Sequence, residues 1–334
     1  MAVLMAGGVP ILVDVDPDTY TINPESARAA VTDRTRAILP VHLAMFFADM
    51  DALRELALDH DLWIVEDCAH AHGGQWRGRG AGSIGDLGCF SFQSSKLMAS
   101  GEGGMILTGR LDLFERVQSL VNCGRASSTD RFRERLAGGN YRMTEFQAAI
   151  LSGQLDRLLE QNGTRAANAA ILDQALAALP GIRTLPSQPH VTRQAIYQYV
   201  FEYRQGDSSV SRDMFVAALE AEGIPCDGRF YEPLNRSDLF RPDARTYPQL
   251  VANGTALDFR GFHCPVAERA AYRESVWIPH FVFLGTAQDM RDIAAAVEKV
   301  MGNLEEMERA DPALAAHKSM SRAERPIEGR GKNY

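Results

Sequence analysis

The sequence predicts an α/β protein in which a mostly parallel sheet, flanked by helices, precedes a smaller C-terminal α/β domain. Segments with the composition of strands alternate with segments of helical apolar spacing, and this order is typical of parallel sheets. The predicted strands of the first part are 11–15, 37–43, 62–65, 87–93 and 105–108, and the predicted helices are 24–31, 49–60 and 110–121. A change of pattern after Pro180-Gly181 indicates the second unit.

Helix signals support several of these elements. Asn23–Glu25 supplies a cap, a first-turn proline and an early acid to the helix 24–31. Thr144–Gln147 reads as a capping box that opens a long helical region. Two further helices are predicted over 211–222 and 288–306. The apolar residues expected on the buried sides of the helix 49–60 and of the long helix are Leu53, Leu56 and Ala57, and Ile150, Leu155, Leu158 and Leu159.

The predicted domains are a larger one over residues 1–165, a smaller one over 166–310 and a tail over 311–334. The boundary is placed within the long helical region, because aromatic residues alternate from 197 to 203 as in a strand with one covered face. The tail lacks apolar periodicity, and we expect it to be poorly ordered.

Composition excludes several classes of protein. With 35 basic and 43 acidic residues the net charge is -8, which argues against a dedicated nucleic-acid binder and for a soluble cytoplasmic enzyme. Five cysteines without paired close spacing do not resemble a disulfide framework, so a reducing compartment is expected. The apolar opening is interrupted by Asp14 and Asp16 and has no positive leading region. Neither a signal peptide nor a membrane-spanning helix is predicted there.

The residues from Trp63 to Gly104 combine acids, histidines, glycines and a lysine, and they predict a cofactor site. Glu66 and Asp67 fall at the carboxyl end of a predicted strand, where open α/β sheets bind their ligands. Lys96 lies between a predicted strand and the glycine loop 100–104. An amine in this position loses hydration, which lowers its pKa and allows it to form a Schiff base.

Pyridoxal phosphate would use such a lysine. Its ring nitrogen needs a carboxylate partner, and Asp67 could fill that role. Ser91, five residues before Lys96, offers a hydroxyl for the phosphate, and the glycine-rich turns offer backbone N–H groups. Taken singly, Asp67 could cap a turn and Lys96 could be a solvated loop lysine.

Spaced motifs extend from about Gly7 to near Met307. They are Glu66-Asp67-x-x-His70, Gly85-Asp86, Phe90-Ser91-Phe92-x-x-x-Lys96, Gly101–Gly104, Pro40–Leu43, Gly139–Glu145 and Trp277–His280. Together they closely resemble the DegT/DnrJ/StrS family of pyridoxal-phosphate aminotransferases. The resemblance implies the aspartate-aminotransferase-like fold, which is fold type I of these enzymes.

The resemblance also implies roles for individual residues. Lys96 would bind the cofactor covalently, and Asp67 would pair with its ring nitrogen. His70 would lie against the cofactor, and Ser91 would bind the phosphate. Asn140 matches the residue that reaches the phosphate from the other subunit, which implies a homodimer with shared active sites.

Within the family, the segments Asp67–Gly73, Phe92-Gln93 and Trp277–His280 are most similar to glutamine:scyllo-inosose aminotransferases of aminocyclitol antibiotic pathways. Glutamine or glutamate would donate the amino group, and a cyclic ketone would receive it. A close relative, 3-amino-5-hydroxybenzoate synthase, shares much of this pattern and is the alternative function, and a keto-sugar nucleotide aminotransferase is a third choice. Candidate substrate contacts are Tyr231, His263 and Tyr272, although aromatic residues there more often pack.

Two other interpretations remain open. Glu66, Asp67, His70 and His72 could form a metal cluster, but that would leave the segment from Ser91 to Lys96 without a role. The chain could also be a catalytically silent relative that binds a ligand or a partner. In the family, more sequence normally precedes the strand at Ile11, including a Gly-Thr turn at the phosphate and an aromatic residue on the ring. The sequence contains neither, so we expect it to be a fragment, a misplaced start or a shortened protein, and the predicted activity applies to the intact family pattern.

Overall fold

The protein is described by a computed structural model over residues 1–125, 136–229, 231–237 and 261–310. Within these residues the strands are β1 (Ala37–Ile38), β2 (Trp63–Asp67), β3 (Gln75–Trp76), β4 (Arg79–Gly80), β5 (Leu87–Ser91), β6 (Gly104–Leu107), β7 (Ile182–Thr184), β8 (Val191–Arg193), β9 (Gln198–Tyr203) and β10 (Ser275–Pro279). The helices are α1 (Ala2–Met5), α2 (Pro24–Ala30), α3 (Met50–His60), α4 (Leu111–Val121), α5 (Glu145–Leu176), α6 (Arg212–Ala221), α7 (Pro265–Arg269), α8 (Ala287–Gly302) and α9 (Leu304–Ala310).

The main sheet has the strand order β1-β2-β5-β6. β1, β2 and β5 are parallel, and β6 pairs with β5 in the antiparallel direction. β5 passes so close to the preceding turn that a Cβ at Gly88 would lie 2.1 Å from the Cα of Gly82. The prediction of an α/β fold with a mostly parallel sheet is therefore confirmed, and the carboxyl ends of β2 and β5 meet at one edge.

Side-chain caps begin the helices where the sequence predicts them. Asn23 accepts a hydrogen bond from the N–H of Ser26 at 2.8 Å, and Asp49 caps α3. Thr144 and Gln147 form the predicted capping box of α5. Each cap satisfies backbone groups that the first turn leaves without partners.

A second, antiparallel sheet has the order β10-β9-β7. β9 pairs with both neighbours and all six of its residues are buried, so both of its faces are covered. Side chains of α5, α6 and α8 join β9 and β10 in one core cluster. The prediction that this strand has only one covered face is therefore wrong, because helices and loops pack on both sides of it.

Other local predictions differ from the structure. Residues 11–15 form no strand, and only Val15 makes a single bridge to Ile22. The reason is that Asp14 and Asp16 accept backbone hydrogen bonds and hold the chain in turns. On α5, Leu158 is buried, but the other residues predicted on its buried side are exposed, namely Ile150, Leu155 and Leu159.

The predicted domain boundary falls inside α5, which is continuous across residues 165 and 166. The division into two domains stays a prediction, and the predicted tail 311–334 lies outside the described residues. All five cysteines are free thiols. No helix in the described part of the chain combines the length and the apolar character needed to cross a membrane.

Candidate active site

Asp67 is the last residue of β2 and lies beside Cys89 of β5. The strand is fixed there by the backbone of 40–42, since the N–H of Asp67 donates to Pro40 and the N–H of His42 donates to the carbonyl of Asp67. Its Oδ1 accepts from the N–H of Ala69 at 3.0 Å. Within the described residues, Oδ2 makes no hydrogen bond, so this oxygen is available to a ligand.

Lys96 lies in the loop that follows β5. Its N–H donates to the carbonyl of Gln93 at 2.9 Å. Its half-buried Nζ lies 4.5 Å from the centroid of the Tyr197 ring. Burial lowers the pKa of the amine, and the negative charge of Asp67 offsets part of that effect. Lys96 and Asp67 are thus brought within electrostatic reach of each other, as the sequence predicts.

His70 is buried against the same tyrosine. The rings of His70 and Tyr197 stack with centroids 4.0 Å apart, and Nδ1 of His70 accepts from the N–H of Ala44 at 3.2 Å. Burial, together with the charge of Lys96, lowers the pKa of His70 to about 2. The imidazole is therefore neutral, and it presents a flat face next to Lys96. The Tyr231 ring lies 6.3 Å from that of His70.

Ser91 ends β5, and its Oγ accepts from the N–H of Gln93 at 3.3 Å. Nε2 of His72 donates to the carbonyl of Ser91 at 2.8 Å. This bond holds the end of β5 against the loop after β2. The other ring nitrogen of His72, Nδ1, is buried and has no hydrogen-bond partner among the described residues. His72 therefore acts as a structural histidine in this part of the chain.

Glu66 is fully buried and accepts four hydrogen bonds. Its donors are the backbone N–H groups of Gly82, Ile84 and Gly85, and Nε2 of His42 at 3.0 Å. These bonds keep the pKa of Glu66 low although burial opposes its charge. They also bind the glycine turn to the strand that carries Asp67.

The side chains proposed as alternative metal ligands do not converge. Among the described residues, the group with metal-ligand spacing is His42, Glu66 and Cys68. Its potential ligand atoms are already hydrogen-bonded, because Nδ1 of His42 accepts from Ala48 and both oxygens of Glu66 are occupied. The geometry therefore favours a hydrogen-bonded core over a metal site.

Asn140 is exposed in the segment before α5, and its backbone forms a bridge with Asn122. No contact between its side chain and Asp67, His70 or Lys96 is found in the described parts of this single chain. Its role at the phosphate stays a prediction. Of the predicted substrate contacts, Tyr272 hydrogen-bonds to Glu232, and His263 is exposed.

Three residues near Lys96 have no predicted role in the sequence. Tyr197 is visible there only as the first member of an alternating strand, and Ser95 only as a neighbour of the lysine. His280 belongs to a recognised motif, but nothing local indicates that its Nε2 donates to the carbonyl of Ser95 at 3.1 Å. In the structure, Tyr197 immediately precedes β9 and His280 immediately follows β10.

The stability of the protein is expected to fall as the pH decreases from about 7 to about 5. Burial lowers the pKa of His72 and of His280 to about 4, below the usual 6.5. Between these values the unfolded chain binds more protons than the folded one, so the free energy of unfolding decreases with decreasing pH. Thermal unfolding at several pH values in this range measures how steeply the free energy of unfolding depends on pH. His72→Gln removes one titrating group, so this dependence should become less steep. An unchanged dependence on pH would contradict this explanation.

These groups fit pyridoxal phosphate. The free Oδ2 of Asp67 suits a protonated ring nitrogen, the half-buried amine of Lys96 suits an aldehyde, and the hydroxyl of Ser91 suits a phosphate oxygen. The loop that follows Lys96 is rich in glycine, and its Gly101 and Gly103 have positive φ angles of 85° and 144°. Such a loop can turn its N–H groups towards an anion.

Comparison with known proteins places this arrangement among aminotransferases. Residues 1–298 match the model of the DegT/DnrJ/EryC1/StrS aminotransferase family. A protein of Streptoalloteichus tenebrarius, assigned the name L-glutamine:3-amino-2,3-dideoxy-scyllo-inosose aminotransferase, is 44% identical over 91% of this chain and 74% of its own length. The L-glutamine:2-deoxy-scyllo-inosose aminotransferase of Micromonospora echinospora is 40% identical over 90% of this chain and 73% of its own length.

Solved structures show the same fold. The crystal structure of 3-amino-5-hydroxybenzoic acid synthase has a TM-score of 0.79 and 31% identity, and the match covers 90% of this chain and 77% of that one. DesV of S. venezuelae, in complex with a ketimine intermediate, has a TM-score of 0.73 and 33% identity over 92% of this chain and 75% of that one. The fold of this chain is thus shared with both of these proteins.

Proposed function

Since the chain belongs to the DegT/DnrJ/EryC1/StrS aminotransferase family, we propose that it transfers an amino group from glutamine to a cyclic ketone of the scyllo-inosose class. The cofactor is pyridoxal phosphate, bound at Lys96. When bound, it supplies an aldehyde for the amine and a ring that withdraws electrons from the reacting carbon. The names of the relatives at 40–44% identity support this choice of donor and acceptor.

The observation that carries the proposal is the environment of Lys96. Burial lowers the pKa of its amine, so a larger fraction of it is unprotonated and able to react with a carbonyl group. When it is not bound to the cofactor, the same amine of Lys96 can remove a proton from one atom of the substrate and return it to a neighbouring atom. Its Nζ stays close to the Tyr197 ring, which holds the amine at one place in the site.

The other residues of the site would bind the cofactor and orient it. The carboxylate of Asp67 would hold a proton on the ring nitrogen of the cofactor, and the Oγ of Ser91 would bind a phosphate oxygen. The neutral face of His70 would exclude water from the ring without adding a charge. A cation there would disfavour the protonated ring nitrogen, so the lowered pKa of His70 is consistent with this role.

The proposed assembly is a homodimer with shared active sites. β6, α4 and the first half of α5 expose large apolar side chains, and exposed apolar surfaces of this kind mark interaction sites. They are Met105, Ile106, Leu107, Leu111, Phe114, Leu120, Phe146, Ile150, Leu155 and Leu159. Asn140 lies in the segment between α4 and α5, next to this surface. A partner bound there would bring its own Asn140 towards the phosphate.

The proposed function is tested by mixing the full chain with pyridoxal phosphate and glutamine, and then adding 2-deoxy-scyllo-inosose. We expect the visible absorption of the bound cofactor to bleach with glutamine and to return with the ketone. Mass spectrometry should detect the aminated cyclitol, and light scattering should give the mass of a dimer. If glutamine causes no spectral change, the chain is a catalytically silent relative.

A second candidate is a 3-amino-5-hydroxybenzoate synthase, because the solved structure of such an enzyme has the same fold at 31% identity. That reaction removes water and forms an aromatic ring, whereas amine transfer to a cyclitol does not. The product therefore separates the two functions. If the chain forms an aromatic product, detected by its ultraviolet absorption, the synthase function replaces the proposed transfer to a cyclitol.

A further inference from the structure

Ser95, the residue before Lys96, is held by two side chains from the second sheet. Nε2 of His280 donates to its carbonyl oxygen at 3.1 Å, and its Oγ shares a hydrogen bond of 2.8 Å with the hydroxyl of Tyr197. The carbonyl of Ser95 and the N–H of Lys96 belong to one planar peptide group. Fixing that carbonyl therefore fixes the direction in which the chain enters Lys96.

Tyr197 and His280 form a fixed pair at one end of the second sheet. β9 begins directly after Tyr197, β10 ends directly before His280, and Gln198 pairs with Pro279 across the two strands. The N–H of His280 donates to the carbonyl of Tyr197 at 3.2 Å, and the two rings stack at 5.8 Å. Because β9 is buried on both faces, the pair has little freedom to move.

Arg165 of α5 determines which nitrogen of His280 carries the proton. The arginine is 1% exposed, and its Nη2 lies 3.5 Å from Nδ1 of His280. A guanidinium can only donate, so Nδ1 must accept and Nε2 must carry the hydrogen that Ser95 receives. Nη1 of Arg165 is held by Asn162 at 3.0 Å. Burial lowers the pKa of Arg165 to about 10, and no acidic group in the described segments offsets this effect.

We propose that Tyr197 and His280 are positioning residues, which hold the Ser95 peptide so that the amine of Lys96 stays over the Tyr197 ring, and that Arg165 fixes the tautomer of His280 that this requires. We call Ser95, Tyr197 and His280 the Ser95 clamp. The inference rests on the proposed role of Lys96 as the reactive amine. It assigns a function to the Trp277–His280 motif.

The clamp acts on the reactivity of Lys96 through its surroundings. Held over the tyrosine ring, the amine is half-buried and loses hydration, which lowers its pKa. Without the clamp the loop can turn the amine towards water, and its pKa would rise towards that of an exposed lysine. Among the described residues, the carboxylate of Asp67 acts on Lys96 electrostatically, and the charge of Lys96 in turn acts on the imidazoles of His70 and His72; the variants used in the test change none of these groups.

The test measures the reaction of Lys96 itself, without cofactor or substrate. The full chain is treated with formaldehyde and cyanoborohydride at a series of pH values, and mass spectrometry gives the rate of methylation of each lysine. Lys299 is an internal control, because it lies on the surface and pairs with Glu222 at 2.8 Å. In the wild type, we expect Lys96 to react with a lower pH midpoint than Lys299.

Two matched variants separate the hydrogen bonds from packing. His280→Phe keeps a ring against Tyr197 but cannot donate to Ser95, and it should raise the midpoint of Lys96 towards that of Lys299. His280→Gln keeps a donor and an acceptor, and it should leave the midpoint near that of the wild type. The midpoint of Lys299 should not change in either variant.

An unchanged Lys96 midpoint in folded His280→Phe would overturn the proposal, as would equal midpoints for Lys96 and Lys299 in the wild type. If His280→Phe does not fold, as judged by circular dichroism, Tyr197→Phe decides, because it removes only the hydroxyl. It should raise the midpoint in the same direction, and no rise would overturn the clamp. These rates do not depend on amine transfer, so failure of the clamp and failure of the proposed function give different results.

Discussion

Lys96→Ala is expected to reduce the rate of amine transfer from glutamine by at least about a thousandfold. The substitution removes both the amine that would bind the cofactor and the group that would move the proton, and a positioned acid-base group alone contributes roughly 10²–10⁴. The side chain of Lys96 makes no hydrogen bond within the described residues. The variant should therefore fold with nearly the wild-type midpoint of thermal unfolding.

Single-turnover mixing with glutamine measures this effect, with the absorption of the cofactor as the signal. Lys96→Arg is the matched control, since it keeps a cation near the Tyr197 ring but does not offer a reactive amine. Both variants should be inactive and folded. A rate within tenfold of the wild type in either variant would remove Lys96 from the proposed catalytic role.

Glu66→Gln is expected to lower the free energy of unfolding by about 3–5 kcal/mol, the range found when one partner of a buried charged network is removed. Glu66 is fully buried and accepts from three backbone N–H groups and from His42. An amide offers only one oxygen, and its NH₂ group would face N–H donors. At least one buried donor would lose its acceptor.

Urea unfolding followed by circular dichroism measures the loss. Glu102→Gln is the matched control, because it makes the same chemical change at an exposed position of the glycine loop and should alter stability by less than about 0.5 kcal/mol. A loss below about 1 kcal/mol for Glu66→Gln would mean that the four bonds contribute little. The turn containing Gly82 and Gly85 would then be held mainly by packing.

The parts of the fold that depend on local chemistry could be predicted from the sequence. The caps at Asn23 and Thr144 are local, and both are confirmed. Burial depends on neighbours that the local pattern does not contain. Leu155 has helical apolar spacing but is not covered by any element in the described part of the chain, and the residues of β9 alternate although both faces are covered.

The candidate site shows the same division. Asp67 and Lys96 could be placed together because the carboxyl ends of adjacent strands meet at one edge of a sheet. The contacts of His280 could not be predicted. Arg165 is 115 positions from it and Ser95 is 185 positions from it, and no local signal specifies either pairing. The resemblance to a family identified the His280 motif but not what the histidine holds.

The contact between Ser95 and His280 has a consequence for the synthesis of the protein. Ser95 leaves the ribosome 185 residues before the histidine that holds its carbonyl. At about 5–20 residues per second, the nascent chain spends roughly 10 to 40 s with the main sheet emerged but the loop before Lys96 not yet fixed. In the proposed function, Lys96 would therefore reach the geometry in which it captures an aldehyde only after β10 has joined β9.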